Sequence, residues 1–189
     1  MGKVILIGGS PMIGKSTVAV EIASLLKCQC LSTDDLGEVL QTVISINPMK
    51  GADFRAYYAS TSIEKLIADI QQYHKTIEPA IHRLIDIHGS WGNSLVIEGW
   101  ALYPHSILPF QNESIFSCWL IAADGLLESR LESKTDFLAG KAAQNYLLRS
   151  KWHNDLLLNQ CKSLKARFSL LDGSESPSFL AQKFLDFTP

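Results

Sequence analysis

Residues 4–17 read VILIGGSPMIGKST: an apolar run, Val4 to Ile7, enters Gly8 and Gly9 and is followed closely by Gly14, Lys15, Ser16 and Thr17. The run has the length and composition of a buried strand. The stretch from Gly14 to Lys27 places Val18, Ile22, Leu25 and Leu26 on one helical face, so the glycines join a strand to an amphipathic helix. Gly9-x4-Gly14-Lys15-Ser16 therefore matches the phosphate-binding loop in the context its mechanism needs. Glycines let successive N–H groups converge on phosphate oxygens, and the helix N-terminus adds its positive dipole end. In this reading Gly9, Met12, Ile13, Gly14, Lys15, Ser16 and Thr17 hold a nucleoside triphosphate. Lys15 neutralises its terminal phosphates, and the Ser16 hydroxyl is placed to ligate Mg²⁺. The string arises by chance on the order of once in a hundred chains of this length, before the strand and helix are also demanded.

Outward from this loop, the rest of the chain repeats the strand and helix alternation of an α/β fold. CQCLST is a short second strand, and a helix is expected from Asp34 to about Ser45. The spacing between Ile46 and Arg55 is loop-like, with Asn47-Pro48 and Gly51 as breakers. Ile63, Leu66, Ile67 and Ile70, then Ile77, Ala80, Ile81, Leu84 and Ile85, predict two core helices or one kinked helix. HGSWGN reads as a turn before the third strand, SLVIE, and IFSCWLIAA is the fourth. A polar helical region from Asp124 to about Ser163, broken near Gly140, precedes a fifth strand, RFSLLD, and a last helix, SPSFLAQKFLDF.

At 189 residues, 47% apolar and 19% charged, the chain suits one globular domain over residues 1–189. A formal net charge of −2 argues against a polynucleotide or an anionic membrane surface as partner, since both call for a basic excess. None of Cys28, Cys30, Cys118 and Cys161 forms a C-x-x-C pair, so they read as reduced thiols, mostly buried. No run approaches the roughly 18 residues of a membrane span, and the N-terminus lacks a signal-peptide pattern. The expected location is the cytoplasm.

In open α/β sheets ligands gather at the carboxyl ends of the strands, where acidic residues now matter. LSTDD puts Asp34 and Asp35 after the second strand, and LVIEG puts Glu98 at the end of the third. Either Asp can accept a proton from an attacking hydroxyl or help hold Mg²⁺, with Glu98 as a further metal ligand; the plain alternative is a helix cap and a dipole-compensating carboxylate.

GGSPMIGKST, STDDLGEVL and VIEGWALYP resemble, in order and spacing, the 2-phosphoglycerate kinase group of phosphate-loop kinases. The early pattern is also similar to polynucleotide 5′-kinases and other small-molecule kinases. In the polynucleotide kinases the first Asp of such a pair is the general base, which favours Asp34, with Asp35 near the acceptor. The resemblance implies a three-layer α/β sandwich, a five-stranded parallel sheet in the order 2-3-1-4-5 and a helical lid, here about residues 124–163. It implies an ATP- and Mg²⁺-dependent transfer to the hydroxyl of a small anionic metabolite, with 2-phosphoglycerate the leading acceptor. Where the group tends to read E-G-V-H, Glu98-Gly99 is followed here by Trp100 and Ala101, so Trp100 either packs against an acceptor or closes the core.

Phosphoryl transfer also needs cations around the transferred group. Arg130 and Arg149 are the lid residues expected to act there, ahead of Lys134, Lys141 and Lys151, which otherwise pair with acids such as Glu128. Between the second and third strands, Arg55 and Arg83 are the forks offered for an acceptor's phosphate or carboxylate. Two rival classes stay open: a GTPase, whose guanine signature is only imitated by SKTD at Ser133 to Asp136, and a nucleotide-binding regulator without kinase activity.

Overall fold

Alternate residues of the first strand supply both halves of the core. In the computed structural model, which describes residues 2–44, 53–134 and 137–186, β1 spans Val4–Gly9. Its Ile5 and Ile7 pack toward one face and its Val4 and Leu6 toward the other, as the period-2 alternation of a strand requires. The remaining strands are β2 (Gln29–Ser32), β3 (Leu95–Gly99), β4 (Ile115–Ala122) and β5 (Phe168–Leu171). All pair in parallel in the order β2-β3-β1-β4-β5, which is the expected sheet.

Helices α1 (Lys15–Leu26) and α8 (Pro177–Leu185) cover the face carrying Ile5 and Ile7 with Val18, Ile22, Leu180 and Phe184. The opposite face is covered by α4 (Ile63–Trp91), α5 (Pro104–Ile107) and α7 (Gly140–Leu164), whose Ile77, Ile81, Ile85, Ile107, Leu157 and Cys161 join Leu6, Ile97 and Trp119. The other helices are α2 (Thr33–Leu40), α3 (Phe54–Ser60) and α6 (Leu126–Glu132). A smaller cluster of Tyr58, Leu66, Leu138, Ala142 and Tyr146 joins α3, α4 and α7. No helix among the described residues is long and apolar enough to cross a membrane.

Several expectations need correction. The paired signals from Ile63 to Ile85 belong to one 29-residue helix with Pro79 inside it, and HGSW continues that helix instead of turning. The turn comes at Gly92, which caps α4 at φ 69°. The α2 helix ends at Leu40 and is followed by turns to Ile44; the rest of the expected helix and most of the expected loop lie outside the described residues. FRAYYAS, read as loop at its start, is helical from Phe54 because the Asp53 carboxylate accepts from Arg55 N at 2.9 Å and caps it. Cys30 is exposed, since β2 lies at the sheet edge; Cys118 and Cys161 are the buried thiols. In the helical region after β4, Ser150, His153, Leu157 and Cys161 of α7 are buried.

Candidate active site

The parallel register brings Gly8 and Gly9, Ser32 and Glu98 to one sheet edge, since Gly8 pairs with Gly99 and Ser32 with Glu98. Met12 at φ 67° and Gly14 at φ 92° turn the loop between β1 and α1. For a non-glycine residue such as Met12 this left-handed backbone costs on the order of 1–3 kcal/mol, a strain that concentrates at ligand loops. α1 has neither a side-chain cap nor an acidic residue of its own in its first turn, which leaves its leading N–H groups without a side-chain cap. Lys15 is buried, and its Nζ donates to Ser10 O at 3.0 Å. Burial lowers the Lys15 pKa, while Glu98 and Asp34 oppose that shift by favouring the ammonium.

Ser16 Oγ donates to Glu98 Oε1 at 3.0 Å, so the hydroxyl and carboxylate proposed for the metal are in contact. Asp34 lies nearby on α2, near enough to act on Lys15 electrostatically. The donors are all oxygens, suited to a hard cation such as Mg²⁺. Among the described residues there is no group of three or more His, Cys, Asp or Glu side chains that could hold a metal ion.

The helix cap at α2 is Ser32, whose Oγ accepts from Asp34 N at 3.1 Å, so neither Asp is needed as a cap. Asp34 Oδ1 instead accepts from Trp100 Nε1 at 2.7 Å. The close approach behind this contact depends on Gly99, where a Cβ would fall 1.7 Å from Thr33 Oγ1. Trp100 also stacks on Arg149, with the guanidinium 4.3 Å from the ring centroid, and meets His74 edge-on at 4.6 Å. Trp100→Phe keeps a ring for Arg149 but loses the indole N–H. Turnover is expected to fall about tenfold, roughly 1.4 kcal/mol, with nucleotide affinity unchanged, in steady-state kinetics.

Arg149 is buried among Trp100, Tyr58 and Tyr146, and its Nη1 donates to the Tyr58 hydroxyl. Burial lowers its pKa to about 9, with Tyr57 and Asp34 favouring the charged form, so it remains a cation at neutral pH. Arg130 crosses the loop instead: its Nη1 donates to Met12 O at 2.9 Å. Of the other lid cations, Lys151 pairs with Glu128 at 2.6 Å, as in the plain surface reading, and Lys134 lies over the Phe137 ring.

A cavity of about 290 Å³ opens beside Asp34 and Trp100, lined also by Glu38, Tyr57, Asp69, Tyr73 and Arg149. It is near the lower end of ligand-pocket sizes. Arg55 and Arg83 do not line it. Arg55 lies on α3 beside a separate hollow of about 560 Å³ against Leu138 and Ala142. Arg83 is exposed on α4, ten residues beyond Tyr73 and so about 15 Å further along the helix. Asp35 is exposed and does not line the cavity. Sequence reading did not single out Glu38, Asp69 or Tyr73, whose helical spacing looks like an ordinary solvated face.

Behind Trp100, His74 Nδ1 shares a hydrogen bond of 2.8 Å with the Tyr103 hydroxyl, and the His153 ring is 6.1 Å from that of His74. Burial, helped by the Lys15 charge, lowers the His74 pKa to about 3, and burial lowers that of His153 as well. An unfolded histidine binds a proton near pH 6.5 that the folded one refuses. For His74 the stabilising difference is thus full above pH 6.5 and is lost toward pH 3, by up to about 1.4 kcal/mol per pH unit, and His153 acts in the same direction. Melting temperature is expected to fall from pH 7.5 to pH 5, and less steeply in His74→Gln.

The sheet order and the loop together define the class: an α/β protein with the phosphate-loop kinase fold. A sugar kinase structure from Janibacter sp. HTCC2649 aligns with a TM-score of 0.61 at 15% identity, covering 100% of this chain and 97% of that one. Shikimate kinase from Acinetobacter baumannii, in complex with shikimate, aligns at 0.53 and 16% identity, covering 98% and 92%. In sequence, the chain is 34% identical over 107 residues to 2-phosphoglycerate kinase of Methanocaldococcus jannaschii, covering 53% of this chain and 35% of that protein. It is 31% identical over 113 residues to the enzyme of the same name from Methanococcus maripaludis strain C5, covering 53% and 36%. The chain thus spans only about a third of the length of these curated relatives. No protein-family model matches it.

Proposed function

We propose that the protein is a small-molecule kinase that transfers the γ-phosphoryl group of ATP to a hydroxyl of a metabolite bound in the Asp34 cavity. The observation that carries this reading is the cavity's position: Asp34 faces both it and the Lys15, Ser16 and Glu98 cluster. Backbone N–H groups of the loop and of the α1 N-terminus would cradle the phosphates, with Lys15 compensating their charge. Ser16 and Glu98 would hold Mg²⁺, with the Asp34 charge close by, and the ion would supply further charge neutralisation.

Asp34 would take the acceptor's proton on Oδ2, leaving Oδ1 to the Trp100 indole, so the carboxylate is oriented before the acceptor arrives. Arg130, leaning over the loop, is the cation suited to the transferred group, whereas Arg149 is suited to the acceptor. The names of the curated relatives make 2-phosphoglycerate one acceptor to test, and the compact cavity favours a small molecule over a polynucleotide. The oxygen donor set and the loop fit the cofactor pair ATP and Mg²⁺, and the cytoplasm is the proposed location. The test is phosphoryl transfer by purified protein with Mg-ATP across a panel of hydroxylated metabolites. Nucleotide binding with no transfer to any of them would favour the regulator.

A further inference from the structure

The sheet has a gap in its hydrogen bonding where the phosphate loop leaves it. Trp119 N and Ala123 N, in and just after β4, donate to Arg167 O and Leu171 O on the β5 side at 3.1 and 2.8 Å. Alternate residues of a strand between two parallel neighbours turn their N–H and C=O groups to opposite sides, so Leu120 and Ala122 turn theirs toward β1. Gly9, opposite Leu120, is the last β1 residue paired with β4. Beyond it the chain becomes the loop, and the peptide groups of Ala122 face a place that β1 no longer fills. Ala122 is buried, so polar groups left unpaired there would destabilise the fold.

Asn154 of α7 occupies that place. Its Oδ1 accepts from Ala122 N at 2.8 Å and its Nδ2 donates to Ala122 O at 3.1 Å. A carboxamide carries an acceptor and a donor side by side, as the main chain does, so this side chain continues the ladder where β1 has ended. The same Oδ1 faces the Oγ of Ser10, a fully buried loop residue, at 3.5 Å. Ser10 O in turn accepts from Lys15 Nζ at 3.0 Å and from Ile13 N at 3.4 Å. On the other side, Ala122 leads through a short turn into α6, whose Arg130 reaches Met12 O. Asn154 therefore stands between the two segments that carry Lys15 and Arg130.

We infer that Asn154 is a positioning residue for phosphoryl transfer: it holds the phosphate loop against the end of β4, so that Lys15 and Arg130 converge on one set of phosphates. It acts through Ser10 and Ala122 and does not line the acceptor cavity. The effect on nucleotide binding follows from the loop alone, and the effect on turnover rests on the kinase reading.

The test combines calorimetric titration of the full chain with Mg-ADP, melting temperature, and turnover with Mg-ATP on a metabolite that the protein phosphorylates. Asn154→Leu keeps the side-chain volume and loses both bonds to Ala122. It is expected to bind Mg-ADP tenfold or more weakly and to turn over tenfold or more slowly at saturating Mg-ATP, with the acceptor KM within threefold. Ser10→Ala leaves the Ala122 pair in place and should weaken Mg-ADP about threefold at an unchanged melting temperature. Ser150→Ala, one turn earlier on α7, removes a buried bond to Tyr146 O of 2.8 Å and should lower the melting temperature without changing Mg-ADP affinity. An Asn154→Leu protein that melts lower yet binds Mg-ADP within threefold of wild type overturns the inference, because Asn154 would then serve stability alone. Where Asn154→Leu does not fold, Ser10→Ala decides, and unchanged affinity and turnover in that variant overturn it. The kinase reading fails separately, when the wild-type chain binds Mg-ADP but phosphorylates no metabolite; the Mg-ADP affinities of the variants then still decide whether Asn154 holds the loop.

Discussion

Lys15→Ala is expected to reduce phosphoryl transfer by about a thousandfold or more, roughly 4 kcal/mol of transition-state stabilisation, while the protein stays folded. The two halves of this expectation have separate causes. Lys15 is buried at the sheet edge, where its ammonium is disfavoured by desolvation and supported by Glu98 and Asp34, so its removal relieves one desolvation cost while leaving buried Glu98 short of a counter-charge, and the fold should persist at a somewhat lower melting temperature. The nearby hydrophobic contacts come from Ile13, Val18 and Ile22, which the substitution leaves in place. Turnover has no such reserve, because Lys15 is the loop's ammonium and Arg130 is already engaged with Met12 O. Melting temperature and turnover of the same preparation test both parts. A variant that retains activity within tenfold would mean that Lys15 does not face the transferred group.

Asp34→Asn is the second large effect, with an expected loss in turnover of about a hundredfold to ten-thousandfold and a change in nucleotide affinity below tenfold. Asparagine retains an oxygen for the Trp100 indole, so the cavity wall and the Trp100 stack on Arg149 should persist. What it loses is basicity toward the acceptor hydroxyl and one charge near the metal. Asp35→Asn should do much less, since Asp35 is exposed and outside the cavity lining. Single-turnover rates with the two variants decide the assignment. If the Asp35 variant proves the slower, the base has been placed on the wrong member of the pair.

Local chemistry explains which parts of the molecule could be read from sequence. The strand, loop and helix around Gly9, Gly14, Lys15 and Ser16 were legible because each is specified within a few residues, by an apolar run, by glycines that free the backbone and by a helical apolar face. The boundaries of α4 were less so, since HGSW satisfies a turn's composition and a helix's last turn equally well until packing of the helix decides between them. Position in sequence also placed Arg55 and Arg83 between the right strands, but the course of α3 and α4 carries both away from the Asp34 cavity.

The amino-acid sequence by itself determined the phosphate loop, the alternation of strands and helices, and the acids that follow β2 and lie near the end of β3, because short-range periodicity and backbone freedom suffice to specify them. The tertiary structure alone decided the cavity. Asp69 and Tyr73 come from α4, Tyr57 from α3, Trp100 from the end of β3 and Arg149 from α7, segments far apart in the chain. They meet because the parallel sheet requires long crossovers and the exposed stripe of one helix is covered by the next. No spacing rule within a single element records which side chains then face each other across the gap.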